Sequence, residues 1–135
     1  MKNGGKMVSI SSLGSRLAWP IYTAVGVSKA ALEALTRYLA IELAPRGICV
    51  NGVAAGAVET EALKLYTADK ELPQLFWQTT PAGRMVQPED IANLVAFLCS
   101  DDSAMIRGQI VVIDGGLSLT SAGYGKRDDE GGKHA

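Results

Sequence analysis

Tyr22 and Lys29 stand seven residues apart in the run Tyr22-Thr23-Ala24-Val25-Gly26-Val27-Ser28-Lys29, just after Pro20 and at the head of a strongly helical stretch. On a helix, that spacing makes the two side chains point within roughly 20° of each other, about 10.5 Å apart along the axis. One face then carries a phenol and an ammonium. A neighbouring cation favours the ionised form of a phenol, and the remaining N–H groups of the lysine can reach a ligand's hydroxyls. Such a pair suits a proton donor working near neutral pH. Taken alone it reads first as a helix-start aromatic packed on its neighbours beside a solvated lysine, so the surrounding residues decide the matter.

Those surroundings alternate strand and helix signals. Residues 7–11 predict a short buried strand running into the loop Ser11-Ser12-Leu13-Gly14. Residues 21–44 predict a long helix stopped by Pro45-Arg46-Gly47. Leu32, Leu35, Leu39 and Leu43 form its core stripe, Glu33 and Arg37 form an i,i+4 pair on another face, and Ala30, Ala31 and Ala34 permit close approach. Residues 48–53 and 109–113 predict two further strands. Between them Pro88 occupies a first helical position, with Glu89 and Asp90 in the first turn and Ile91, Leu94, Val95 and Leu98 facing inward. Strand, helix, strand, helix, strand implies an α/β fold of three parallel strands with right-handed crossovers. Residues 61–85 interrupt the regularity with Leu63, Leu65, Tyr66, Leu72, Leu75, Phe76 and Trp77.

Composition narrows the function classes. A net charge of −1 and a pI near 5.8, with the charges scattered, give no electrostatic footprint for nucleic acid. No apolar run approaches the ~20 residues a bilayer span needs, and no basic leader precedes an apolar stretch, so a cytoplasmic protein is expected. Cys49 and Cys99 lack a metal-ligand spacing and are expected to pack as small reduced hydrophobes; His134 has no partner for a metal site or a hydrolase triad.

Several motifs fall together in order: Ser11-Ser12-Leu13-Gly14-Ser15, Ser28-Lys29-Ala30-Ala31, Cys49-Val50-Asn51-Gly52-Val53-Ala54-Ala55-Gly56-Ala57-Val58-Glu59-Thr60, Pro88-Glu89-Asp90-Ile91-Ala92 and Gly108-Gln109-Ile110-Val111-Val112-Ile113-Asp114-Gly115-Gly116. Together they resemble the C-terminal half of a short-chain dehydrogenase/reductase, from Gly5 to about Leu119. Reductases of that superfamily usually carry a Tyr four residues before the Lys, and here that position is Val25. The seven-residue spacing is similar to that of enoyl-acyl-carrier-protein reductases. Tyr22-Thr23, the run from Val25 to Ala40, and Thr80-Pro81-Ala82-Gly83-Arg84-Met85-Val86 are especially similar to the bacterial type III, or L.

The resemblance implies the C-terminal half of a Rossmann-like doubly wound parallel sheet within residues 1–119, followed by a flexible tail, 120–135. Such a fold takes its phosphate site from a glycine-rich turn between its first strand and helix. No such turn is present here: Gly123-Tyr124-Gly125 follows no buried strand, and Gly4-Gly5 precedes a strand instead of a helix. The N-terminal half is therefore expected to be missing, through a clipped reading frame, an internal start or a partner chain. The resemblance further implies Tyr22, Lys29 and Ser12 as catalytic residues, the last lying seventeen residues before Lys29. Cofactor contacts fall on Tyr22, Lys29, Gly56, Ala57, Val58 and Thr60, with NADPH or NADH as cofactor and no metal. Many relatives have Pro where this chain has Ala55, which changes loop stiffness more than ligand identity. Asp114-Gly115-Gly116 is expected to be structural. Residues 61–85 correspond to the family's substrate cover, and helix 21–44 to its packing surface against a second subunit.

The spacing has a chemical rationale. In ketone reduction hydride and proton go to bonded atoms, whereas in enoyl thioester reduction hydride goes to C3 and charge appears on the C1 oxygen, three bonds away. Moving Tyr from four to seven residues before the Lys shifts it by roughly 4.5 Å along a helix. The expected function is reduction of the C2=C3 bond of acyl-carrier-protein-linked enoyl thioesters, by an enzyme that is a homo-oligomer when full length. A 3-oxoacyl or other carbonyl reductase using Ser12 with Tyr22, and a non-catalytic fragment or dimerising module, are the alternatives.

Overall fold

The computed structural model describes residues 4–60, 63 and 78–120. Three parallel strands, β1 (Gly5–Ser12), β2 (Ile48–Ala55) and β3 (Ile110–Ile113), lie side by side in that order. Helix α1 (Thr23–Glu42) connects β1 to β2, and helix α2 (Pro88–Cys99) lies between β2 and β3. This is the expected three-stranded α/β arrangement. The register pairs Ser12 with Ala55 and Ala55 with Ile113, so all three strands end level with one another. Ligands of open parallel sheets bind beyond these carboxyl ends.

Every residue of β2 is buried, as expected of a parallel strand flanked by others and covered on both faces. Alternation sends its side chains to opposite sides. Ile48 and Val50 meet Ala40 of α1. Cys49 and Asn51 turn toward the segment after α2, where Asn51 Nδ2 donates to the Ile106 carbonyl (2.7 Å) and Asn51 Oδ1 accepts from Gln109 N–H (3.0 Å). A fully buried amide thus satisfies both of its ends while delivering the chain into β3. Helix α2 contributes Leu98, 1% exposed, whose burial is worth about 1.5–3 kcal/mol.

Helix α1 begins at Thr23, two residues later than expected, and ends at Glu42. Pro45 and the left-handed Gly47 (φ +68°) complete the stop, in a short 3-10 turn Ala44–Arg46. Its sheet-facing residues are Gly26, Glu33, Thr36 and Ala40, not the leucine stripe: Leu35 is half exposed and Leu32, Leu39 and Leu43 are only partly buried. The reason lies in β1, which presents Ser9 and Ser11 to the helix. Ser9 Oγ bonds Thr36 Oγ1 (2.8 Å), and Ser11 Oγ donates to Glu33 Oε1 (2.8 Å). This seam is polar, and small or hydrogen-bonding residues fit it where leucines would strand the hydroxyls. Of the two cysteines, Cys49 is buried as expected, but Cys99 is exposed on the outer face of α2. Among the described residues no helix is long and apolar enough to cross a membrane. Residues 121–135 of the expected tail and most of the expected substrate cover, 61–62 and 64–77, lie outside the described residues.

Candidate active site

The three proposed catalytic side chains gather at the end of β1. Tyr22 lies one residue before α1, as its cap, with a backbone (φ −106°, ψ 7°) outside the helical region. Its ring leans over Gly14, and its hydroxyl donates to Ser12 Oγ at 3.3 Å. The same Ser12 oxygen accepts the Gly14 N–H at 3.2 Å. Lys29, on the second turn of α1, donates from Nζ to the Ile10 carbonyl at 2.8 Å. Tyr22 and Lys29 therefore reach β1 two residues apart, and the lysine goes to backbone, not to the phenol. Ser11 is committed to Glu33, so Ser12 is the serine available to Tyr22.

A turn sets the angle of Tyr22. Tyr22 N–H donates to the Trp19 carbonyl (3.3 Å), with Pro20 second in the turn and Ile21 third, at φ +57°. Proline cannot adopt a positive φ, so this is the type II pattern, whose third position normally takes glycine. A β-branched residue there carries about 1–3 kcal/mol of strain. Ile21 is also 98% exposed, so nothing in its packing offsets that cost. Pro20 was a visible signal for the turn; the left-handed Ile21 was not.

Beside Tyr22 opens a cleft of about 270 Å³, walled by Leu17, Ala18, Trp19, Val27 and Ala30 among others. Its lining is mainly apolar. Ser15 and Arg16 of that lining are bonded to Glu33, the residue whose spacing predicts an i,i+4 pair with Arg37. Instead Glu33 is 4% exposed, and its carboxylate takes Ser11 and Ser15 hydroxyls on Oε1 (2.8 and 2.5 Å) and Arg16 Nε on Oε2 (3.4 Å). Burial pushes its pKa up, but the hydrogen bonds from Ser15 and Ser11 and the Arg16 charge more than offset that, leaving it below the ordinary value.

The loop after β2 supplies backbone groups. An isolated bridge joins Val58 to Val86, using the Ala57 carbonyl (from Val86 N–H, 3.1 Å) and the Glu59 N–H (to the Val86 carbonyl, 2.9 Å). In a parallel bridge of this form the middle residue's own N–H and C=O point the other way. Val58 thus offers a donor and an acceptor side by side, as a carboxamide requires, and neither has a partner among the described residues. Of the expected cofactor loop, Ala57 is spent on the bridge, Thr60 Oγ1 accepts from Leu63 N–H (3.2 Å), and Gly56 passes so close to Asp114 that a Cβ would lie 2.8 Å from its Cβ. Asp114 itself is structural: its carboxylate accepts the Gly116 and Ser118 N–H groups, both at 2.8 Å.

A fork of charge holds this loop from outside. Arg84 grips Asp90 through two nitrogens (2.5 and 2.9 Å), Asp90 also accepts the Gln87 N–H (2.9 Å), and Gln87 Nε2 reaches Glu59 (2.6 Å). The Arg84 hydrogen bond, then the Gln87 N–H, hold the Asp90 carboxyl at about 2, below its ordinary 3.8. A lowered folded value means the contribution is complete above the unfolded pKa and disappears as pH falls through the folded one. Asp90→Asn is therefore expected to flatten the loss of stability between about pH 4 and about pH 2, read as urea midpoints across that window. An unchanged acid slope would refute the assignment.

Comparison with known proteins identifies the family. The family model described as enoyl-(acyl carrier protein) reductase matches residues 1–118. The NADH enoyl-acyl-carrier-protein reductase FabI of Escherichia coli is 39% identical over 118 residues, 87% of this chain and 45% of that protein. The 1-cyclohexenylcarbonyl-CoA reductase of Streptomyces collinus is 39% identical over 123 residues, 90% of this chain and 44% of that protein. A putative NAD(P)-dependent gluconate 5-dehydrogenase from Beutenbergia cavernae, solved with bound NADP, superposes with a TM-score of 0.82 at 37% identity, covering 87% of this chain and 47% of that one. The chain thus spans less than half the length of each. The matched model and the shared sheet agree, and the chain belongs to the short-chain dehydrogenase/reductase superfamily, in the family described as enoyl-(acyl carrier protein) reductase.

Proposed function

We propose that this chain carries the proton-donor and nicotinamide side of an NAD(P)H-dependent reductase acting on enoyl thioesters, with the acyl group borne on acyl carrier protein. The observation that supports it most is the placement of Tyr22, displaced from the helix by the Pro20 turn and aimed across Gly14 at Ser12, while Val25 occupies the helical position nearer Lys29. The residues fit a nicotinamide: Val58 offers a backbone donor and acceptor without partners among the described residues, just beyond the end of β2. What the dihydronicotinamide supplies when bound is a hydride for C3 of the substrate.

The chain's own residues handle the charge that follows. As C3 gains hydrogen, negative charge accumulates on the thioester oxygen, and the Tyr22 hydroxyl is the donor that meets it. Tyr22 gives up its proton there, and Ser12 Oγ, 3.3 Å away, can donate in turn to the phenolate left behind. Lys29, anchored on Ile10, keeps further N–H groups for ligand hydroxyls. The apolar cleft along Leu17, Trp19 and Val27 suits an acyl chain. The exposed face of α1, with Val27, Leu35, Tyr38 and Ile41, suits contact with a second copy, and a cytoplasmic setting is part of the same reading.

The direct Tyr22–Ser12 contact favours a second reading, reduction of a carbonyl, because the two hydroxyls together would hold a ketone oxygen. Turnover of crotonyl and acetoacetyl thioesters with NADH and NADPH, using the longest natural polypeptide that contains this sequence, separates the two. The enoyl substrate is expected to be faster. Preference for the acetoacetyl thioester would replace the first reading by the second, and silence on both would leave a non-catalytic or dimerising role.

A further inference from the structure

Glu33 places a buried carboxylate against a serine-rich loop. Buried charges contribute little net stability, so their retention points to placement more than to cohesion. Glu33 lies one helical turn after Lys29, on the same face of α1. Consecutive turns of α1 thereby grip consecutive residues of β1: Lys29 holds the Ile10 carbonyl and Glu33 the Ser11 hydroxyl. Beyond β1 the same carboxylate takes Ser15 and Arg16, so its three partners bracket Ser12, Leu13 and Gly14. That bracketed stretch contains both groups Tyr22 rests on, the Ser12 hydroxyl and the Gly14 backbone.

We propose that Glu33 is a positioning residue for the reductase site, clamping the 11–16 loop so that Ser12 stands at hydrogen-bond distance from Tyr22. The proposal deepens the reductase reading and rests on it for its effect on turnover. A carboxylate accepts from all three at once; the guanidinium can only donate, while the two hydroxyls donate here and gain strength from the charge. Glutamine would turn an NH₂ donor either on the two hydroxyls or on the guanidinium. Aspartate, shorter by one methylene, cannot span from α1 to both sides of the loop. The clamp also fixes Gly14, Ser15 and Arg16 as one wall of the cleft beside Tyr22, so the entry face for substrate is set by the same residue.

The test compares Glu33→Gln, Glu33→Asp and Ser15→Ala in the longest natural polypeptide containing the sequence. Amide hydrogen exchange is read at Gly14, Arg16 and Leu17 in the loop and at Gly52 and Gly56 in β2 and just beyond it. Loop exchange in Glu33→Gln is expected to rise by about tenfold or more, the equivalent of one lost charge-assisted hydrogen bond, with β2 unchanged. In the same variant kcat is expected to fall about tenfold while KM for the nicotinamide cofactor stays within about twofold, because the Lys29 and Val58 contacts are untouched. Glu33→Asp should restore little, and Ser15→Ala, which keeps the charge, should loosen the loop less than Glu33→Gln. Equal loosening of loop and β2, or a loop that does not loosen, would overturn the proposal whatever the enzyme's substrate. A loosened loop with unaltered kcat would overturn the catalytic half of it. Absence of any turnover in the unsubstituted protein would instead count against the reductase reading, and the exchange measurement would still decide whether Glu33 clamps the loop.

Discussion

Tyr22→Phe is expected to leave the fold intact and to remove most of the proposed enoyl reductase activity, by about 10²–10⁴-fold in kcat, the range for loss of a positioned proton donor. The substitution deletes one oxygen. The ring still covers Gly14, and the type II turn and the helix start do not depend on the hydroxyl. Only the 3.3 Å bond to Ser12 is lost, at a site half open to solvent, so the folding midpoint should move little. KM for the cofactor should likewise hold. If Tyr22→Phe kept its turnover, the proton donor would have to be sought elsewhere and the seven-residue spacing would lose its meaning. A fall confined to carbonyl substrates would favour the second functional reading.

Gly26→Ala is expected to damage both stability and activity, against the usual rule for helices. Inside a helix alanine is favoured over glycine by about 1 kcal/mol. Here, however, an added Cβ would lie 2.6 Å from the Gly14 carbonyl oxygen, a backbone atom that has no rotamer to yield. Relieving that overlap costs about 1–3 kcal/mol and moves α1 away from the loop that carries Ser12. The net expectation is destabilisation of about 0–2 kcal/mol, and a loss in kcat out of proportion to it, since Tyr22 is anchored on the same helix. Urea midpoints and turnover measured on one preparation test this. A variant that gained stability and kept its rate would show that helix and loop are not in such close contact.

The strands and α2 were legible because their signals are local: β-branched runs, and Pro88 followed by two acids. Helix α1 was placed within two residues at either end, yet its faces were misassigned. Leucine spacing locates the apolar stripe of a helix, but the surface α1 packs on is lined by Ser9 and Ser11, and the complementary residues are Glu33 and Thr36. Glu33 was misread for the same reason. An i,i+4 rule compares a residue with its own helix, and its actual partners lie 17–22 positions away.

At the site, side-chain identities pointed to Ser12, Tyr22 and Lys29, and the structure gathers all three against β1. Their arrangement was less accessible. A common helix face could not foresee that Tyr22 caps the helix, because the displacement comes from Ile21 in a conformation its own type disfavours. Val58 was named through the family resemblance alone, because in the proposed site it would act through backbone atoms, which carry no residue-type signal. Its availability depends on which neighbours the Val86 bridge consumes.

The even ends of the three strands also set an order of assembly. Ser12, Tyr22, Lys29 and Glu33 fall within 22 consecutive residues, and the contacts among them close short stretches of chain. Loop closure costs grow with the logarithm of length, so this cluster can form as soon as β1 and α1 have left the ribosome. Val58 is different: its presentation waits for Val86 and for β3 to pair with β2, events that join distant parts of the chain. On this argument the proposed acid–base half of the site is expected to form early in folding, and the proposed nicotinamide surface late.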